Sequence, residues 1–165
     1  MMDVAAEKGT LDLTIKDLNR KIDSIYQHGI IMEEYSRQLH DYGMGNLMTE
    51  NEAHTLGYIC ENKDVTVTHL ANAYSRTKGT ASKLLAKLEE KGLIARSHKD
   101  GNKKWVYFYA TEKGLKINEL HRSYDRIKTL EMLEALLKEC TVEEIESFYK
   151  VTALRVKYLS AKANK

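Results

Sequence analysis

Residues 66–111 constrain what this chain can fold into more than any other stretch. Val65-Thr66-Val67 reads as a brief extended piece, followed by a short helix to Ala73 that buries Leu70 and Ala71. Tyr74-Ser75-Arg76 makes a turn. Thr77 is a favoured N-cap, and the helix it opens runs to Lys91 and stops at Gly92, a residue suited to a left-handed terminus. Leu93 to Ser97 and Trp105 to Tyr109 then read as paired strands around the turn residues Asp100-Gly101-Asn102. Helix, turn, helix and basic ribbon in this order form a nucleic-acid reader.

The charge pattern agrees. Arg76, Lys78, Lys83, Lys87, Lys91, Arg96, Lys99, Lys103 and Lys104 face only Glu89, Glu90 and Asp100 in residues 76–104. That window carries +6 while the chain carries +2, so the remaining 136 residues carry −4. A localised positive patch attracts phosphates through charge neutralisation and counterion release. Leu84, Leu85 and Leu88 anchor the second helix from behind. Lys78, Thr80, Ser82, Lys83 and Lys87 are left for its outer surface. Short side chains at Thr80 and Ser82 between basic ones let a helix sit deep in a groove about 12 Å wide.

Residues 1–10 read as a disordered tail. Apolar residues then recur at Leu11, Ile15, Leu18, Ile22, Ile25, Met32, Tyr35 and Leu39, one face of a long helix ending near Asp41. Tyr42 to Asn46 is a loop, and Thr49 with Glu52 forms a capping box for the next helix, whose buried stripe is Ala53, Leu56, Ile59 and Cys60. Thr111 caps another long helix lined by Leu115, Leu120, Ile127, Leu130, Leu133 and Leu137. A second capping box, Thr141 with Glu144, opens the last helix. The fold expected is mainly α with a small β-wing: a tail over 1–10, an N-terminal dimerisation helix and loop over 11–48, a winged helix-turn-helix over 49–111 and C-terminal dimerisation helices over 112–165.

These phrases resemble the MarR family of bacterial winged-helix regulators. Val67-Thr-His-Leu70-Ala71 resembles the first helix of that reader, Thr80 to Ile94 its recognition helix and exit, and Thr111-Glu112-Lys113-Gly114 the start of the helix after the wing. The resemblance spans about residues 11–160. It implies a sequence-specific DNA-binding transcriptional regulator, a repressor released by a small-molecule effector. It also implies a homodimer with interlocked first and last helices on an inverted-repeat operator in double-stranded DNA, its half-sites about one helical turn apart.

The resemblance places base and nearby phosphate contacts at Thr77, Lys78, Thr80, Ser82 and Lys83, with Arg76 and Lys87 beside them, and backbone contacts at Lys99, Asn102, Lys103 and Lys104. Two positions depart from the family. Asn102, Lys103 and Lys104 stand where Asp-Arg-Arg is usual at the wing tip, which favours phosphate contact over minor-groove insertion. Arg76 replaces an apolar turn residue, with weaker packing expected there. The family also implies a small aromatic effector between the dimer helices and the reader. Tyr26, Tyr35, Tyr58 and Tyr124 either line such a crevice or fill core and interface. The competing reading is a winged-helix interaction or assembly module with weak non-specific DNA binding, suggested by the near-neutral total charge and the altered wing tip.

Other chemistries find little in the chain. Cys60 and Cys140 give no CxxC pair, and Cys60 reads as an inert core thiol. His28, His40, His54, His69, His98 and His121 show neither HxxxH nor HExxH spacing, so no metal or other cofactor is expected. Phosphate-binding glycine loops and nucleophile elbows are missing, and an enzyme is not expected. No apolar run approaches the roughly 18–20 residues of a membrane span, and no secretory signal is visible, so a cytoplasmic location is the default.

Overall fold

The computed structural model describes residues 15–99 and 102–163, with side chains over 18–98 and 105–162. The tail expected over 1–10 and the turn residues Asp100 and Gly101 lie outside the described residues. The chain divides into two units, residues 1–38 and 39–165. The first holds helix α1 (Ile15–Arg37). Arg37 closes it with an ion pair to Glu33, a cation placed where the helix dipole favours one.

The expected continuation of α1 to Asp41 is corrected by the structure. Leu39–Asp41 is a strand, β1, paired antiparallel with β2 (Leu47–Thr49) in the register His40 opposite Met48. Leu39 lies four residues after Tyr35 and so mimics a helical stripe, but it is exposed; the buried residues are Tyr42 and Met48. Gly43, Met44 and Gly45 all take positive φ in the loop, which no helix could absorb.

The remaining elements follow the expected order: α2 (Glu50–Glu61), α3 (Val67–Ala73), α4 (Lys78–Glu90), β3 (Ile94–Lys99), β4 (Asn102–Ala110), α5 (Glu112–Leu136) and α6 (Val142–Ala163). The wing strands are longer than the sequence suggests, and they pair antiparallel from Ile94–Ala110 outward. Among the described residues no helix is long and apolar enough to cross a membrane.

Threonines start five helices for one physical reason: their hydroxyls accept from amides left unpaired in the first turn, as Thr66 Oγ1 does from His69 N at the start of α3. Thr49 Oγ1 accepts from Glu52 N, Thr77 Oγ1 from Thr80 N, Thr111 Oγ1 from Gly114 N and Thr141 Oγ1 from Glu144 N. Glu52 and Glu144 answer back, completing both predicted boxes. α4 ends in a Schellman motif. Gly92 N donates to Glu89 O, Leu93 N donates to Leu88 O, and Gly92 takes φ of 69°. Leu88 and Leu93, both fully buried, make the apolar pair such an ending needs.

The core lies under α4. Met48, Leu56, Leu70, Leu85, Leu88, Leu93, Ile94 and Ile117 are its large, fully buried members. α5 clasps the exit of α4: Thr111 N donates to Leu93 O at 3.0 Å and its hydroxyl to Gly92 O at 2.8 Å. Gly114 packs so tightly there that a Cβ would stand 2.0 Å from Leu93 O. In contrast, Ile127, Leu130, Leu136 and Leu137 of the second half of α5 and its end are 40–57% exposed. Phe148, Val151, Leu154, Tyr158 and Leu159 of α6 are 53–60% exposed.

Candidate nucleic-acid interface

The two faces of α4 separate cleanly. Ala81, Leu85 and Leu88 are buried, Leu84 is half-buried, and Lys78, Thr80, Ser82, Lys83 and Lys87 are exposed. Thr77 is exposed too, and its hydroxyl lies 2.9 Å from that of Thr80, so the N-terminal end presents two coupled hydroxyls. Lys78 and Lys83 make no ion pair among the described residues, so their charges face solvent.

Three other cations of the basic window are already engaged. Lys87 lies 3.5 Å from Glu52 Oε1, and Lys91 Nζ sits 2.5 Å from Glu52 Oε2 and donates to Leu47 O at 2.8 Å. Glu52 is nearly fully buried, so it ties α2, β2 and α4 together while capping α2. Arg96 of β3 grips Glu89 through two hydrogen bonds. Those bonds hold the Glu89 carboxyl below its usual range and raise the Arg96 guanidinium. Among the described residues, Lys78 and Lys83 at the front of α4 are cations of this window that make no ion pair.

Arg76 does not loosen the turn before α4 as expected. Its guanidinium donates to Asn51 Oδ1 and lies 5.4 Å from the centroid of the Tyr74 ring, filling the place of an apolar residue. The turn bends at Ser75, where φ is 49°, and is closed by Arg76 N donating to Ala71 O at 2.8 Å. Arg76 thus braces the reader from α2.

A hollow of about 440 Å³ opens beside Lys78, lined by Thr66, Thr68, His69, Trp105 and Tyr107 as well. Trp105 is half exposed there. Trp105 and Tyr107 alternate on β4 and so share a face. Thr68, His69 and Trp105 were not among the sequence-derived contacts. The period-two spacing of Trp105 and Tyr107 on a strand beginning in lysines is the signal that points to them. Lys99, Asn102, Lys103 and Lys104 lie at the wing tip by backbone register, with Lys99 opposite Asn102. Their side chains lie outside the described residues.

The four tyrosines fall in two units. Tyr26 and Tyr35 are on α1, in the first unit, and Tyr26 is 68% exposed. Tyr124 stacks edge-on against Tyr42 at 5.2 Å. Tyr58 stacks against Tyr74 at 5.8 Å, and it alone of the four lines the cavity of about 270 Å³ between α2 and α5. That cavity is polar: His54, Glu61, Asn118, His121, Arg122 and Asp125 supply most of its wall. Burial pushes the His121 imidazole toward its neutral form, against the pull of Asp125. Cys60 is half-buried, and burial raises its thiol above the ordinary range, which suits an unreactive packing residue.

A reader helix set on a buried rear, a two-stranded ribbon at its exit and a helix clasping that exit define a winged helix-turn-helix. Residues 48–106 match the model of the MarR family, so the reader of this chain is similar to that family's. The chain is 32% identical over 105 residues to YhjH of Bacillus subtilis (strain 168), an uncharacterised HTH-type transcriptional regulator. That match covers 64% of this chain and 59% of the relative's length. Among solved structures, FabT of Streptococcus pneumoniae, determined with DNA, matches with a TM-score of 0.63 at 24% identity, over 90% of this chain and 99% of its own. MepR of S. aureus, also determined with DNA, matches with a TM-score of 0.58 at 25% identity over the same shares.

Proposed function

We propose that the chain is a sequence-specific DNA-binding transcriptional regulator that acts as a homodimer, repressing its target until an effector releases it. The observation that carries this is the front of α4, where Thr77, Lys78, Thr80, Ser82 and Lys83 stand exposed on a helix whose rear is locked in the core. Short polar side chains and two solvent-facing lysines suit base edges and the phosphates beside them. The hollow at Trp105 and the lysine-rich wing extend that surface along the duplex. Solved complexes of FabT and MepR with DNA support the same use of the fold. The effector is assigned to the polar cavity between α2 and α5, which Tyr58 lines.

The test separates reading from clamping. Lys103→Ala with Lys104→Ala is expected to weaken binding to all duplexes alike, lowering the magnitude of the salt slope by about two per wing. Ser82→Ala or Lys83→Ala is expected to change preference among duplex variants, by about 1–3 kcal/mol per lost base contact. Titrations across a salt series on preferred and altered duplexes measure both. Wing changes that alter base preference while helix changes leave it untouched would reverse the assignment.

A further inference from the structure

Three aromatic residues stand on one face of β4, and a stacked duplex gives their rings no partner. Trp105, Tyr107 and Tyr109 alternate along the strand with Val106, Phe108 and Ala110, so the two sets point to opposite sides of the ribbon. The second set faces the core: Phe108 is buried, and Val106 and Ala110 pack against the buried cluster. The first set faces outward, with Trp105 and Tyr109 each half exposed. Across the ribbon, Ala95 stands opposite Tyr109 and Ser97 opposite Tyr107. Both are small, so β3 offers the rings little cover. Aromatic side chains of this size concentrate in cores and interfaces, and a row of them in water marks a binding surface.

The surroundings are cationic. Trp105 and Tyr107 line the hollow of about 440 Å³ together with Lys78, and no carboxylate is among the residues lining it. Lys78 is exposed and makes no ion pair among the described residues. In sequence, Lys103 and Lys104 lead into Trp105. Rings beside cations suit a ligand that carries both flat π-faces and regularly spaced negative charge. Rings two residues apart on a strand lie about 6.8 Å from one another. Bases within a duplex strand rise by only about 3.4 Å and keep their faces stacked on each other. A duplex therefore meets the lysines of this surface with its phosphates but has no base face to offer the rings. An unpaired, extended strand has one for each.

We propose that the outer face of β4 binds single-stranded DNA, with Trp105, Tyr107 and Tyr109 as a stacking platform and Lys78 taking a phosphate at its edge. Stacking is tolerant of sequence, because every base has a π-face. The platform thus differs in kind from the front of α4, where short polar and basic side chains face base edges. It also stands apart from the regulator reading: an unpaired strand is held whether or not α4 selects a duplex.

The test titrates the full chain with an oligothymidylate of about 12 nucleotides, within the roughly 4–16 that single-strand sites span. This strand does not pair with itself. Trp105 is the one tryptophan of the chain, so tryptophan emission reports on the platform alone. Binding with quenched emission is expected. An abasic strand of the same length keeps the phosphates and lacks the bases. It should bind at least about tenfold more weakly, the worth of a single base stack. That comparison needs no variant. Trp105→Ala and Tyr109→Ala should each lower affinity for the oligothymidylate by about tenfold or more, while Trp105→Phe, which keeps a ring, should recover most of it. Melting curves matching the parent's separate loss of a ring from loss of the fold. Equal binding of the abasic and thymidine strands, or parental affinity in both alanine variants, overturns the platform. A duplex of the same length that quenches Trp105 as strongly and displaces the oligothymidylate completely overturns it too, making this face part of the duplex contact. Duplex selectivity is measured apart, by competition between preferred and unselected duplexes, and its failure would leave oligothymidylate binding and Trp105 quenching in place.

Discussion

Gly114→Ala is expected to destabilise the protein by roughly 3 kcal/mol, at the upper end of what overpacking usually costs. The added Cβ would stand 2.0 Å from Leu93 O and 3.0 Å from the carbon of the same carbonyl, with Leu56 Cδ1 at 3.3 Å. Leu93 O already accepts from Thr111 N at 3.0 Å. The clash is therefore with backbone held from two sides, and no side-chain rotation relieves it. The start of α5 has to move away from the exit of α4, opening the core around Leu56, Leu93 and Ile117. For a chain of this size the loss corresponds to a fall in Tm of about 6–12 °C. Gly29→Ala is the control. Nothing lies within 4 Å of its Cβ position, and the change should gain up to about 1 kcal/mol in helix propensity. Urea melts of the two variants decide the matter, and a loss below about 0.5 kcal/mol at Gly114 contradicts the packing described.

Removal of residues 141–165 is expected to abolish the folded dimer. Within the single chain, Leu130 and Leu137 are already about half exposed, and Phe148, Val151, Leu154 and Leu159 of α6 are 53–59% exposed. A contiguous run of such residues on two successive helices exceeds what a monomer normally leaves in water. Each of these side chains gains about 1.5–3 kcal/mol on full burial, so pairing two copies of the α5–α6 stripe would supply a large share of total stability. Light scattering should give twice the 19.0 kDa chain mass for the intact protein. The truncated chain should aggregate or lose its cooperative melt. A folded monomer melting at the parental temperature contradicts the assignment of these helices.

The sequence exposed whatever is local. Thr49, Thr77, Thr111 and Thr141 cap helices through bonds spanning three residues, and Gly92 ends α4 through its own φ; each is written in a few adjacent letters. The buried and exposed faces of α4 follow from a single helical period. What stayed hidden depends on distant partners. The helical spacing of Tyr35 and Leu39 suggests helix for β1, and only pairing with Leu47–Thr49 shows otherwise. Lys87 and Lys91 look like free cations until the fold brings Glu52 to them. Arg76 looks disruptive until Asn51 and Tyr74 receive it. His54 lies on a different helix from His121 and Asp125, so no spacing rule reveals their meeting.

The central claim, that the front of α4 reads DNA sequence, is tested most directly by a gel-shift competition. A duplex enriched by the protein from a random pool competes against unselected duplex of the same length at one fixed salt concentration. A preference of about 10³ or more is predicted, the level that separates specific from phosphate-driven binding. A ratio near one would show that the winged helix serves as an interaction module with only non-specific affinity for DNA, and the account would be wrong.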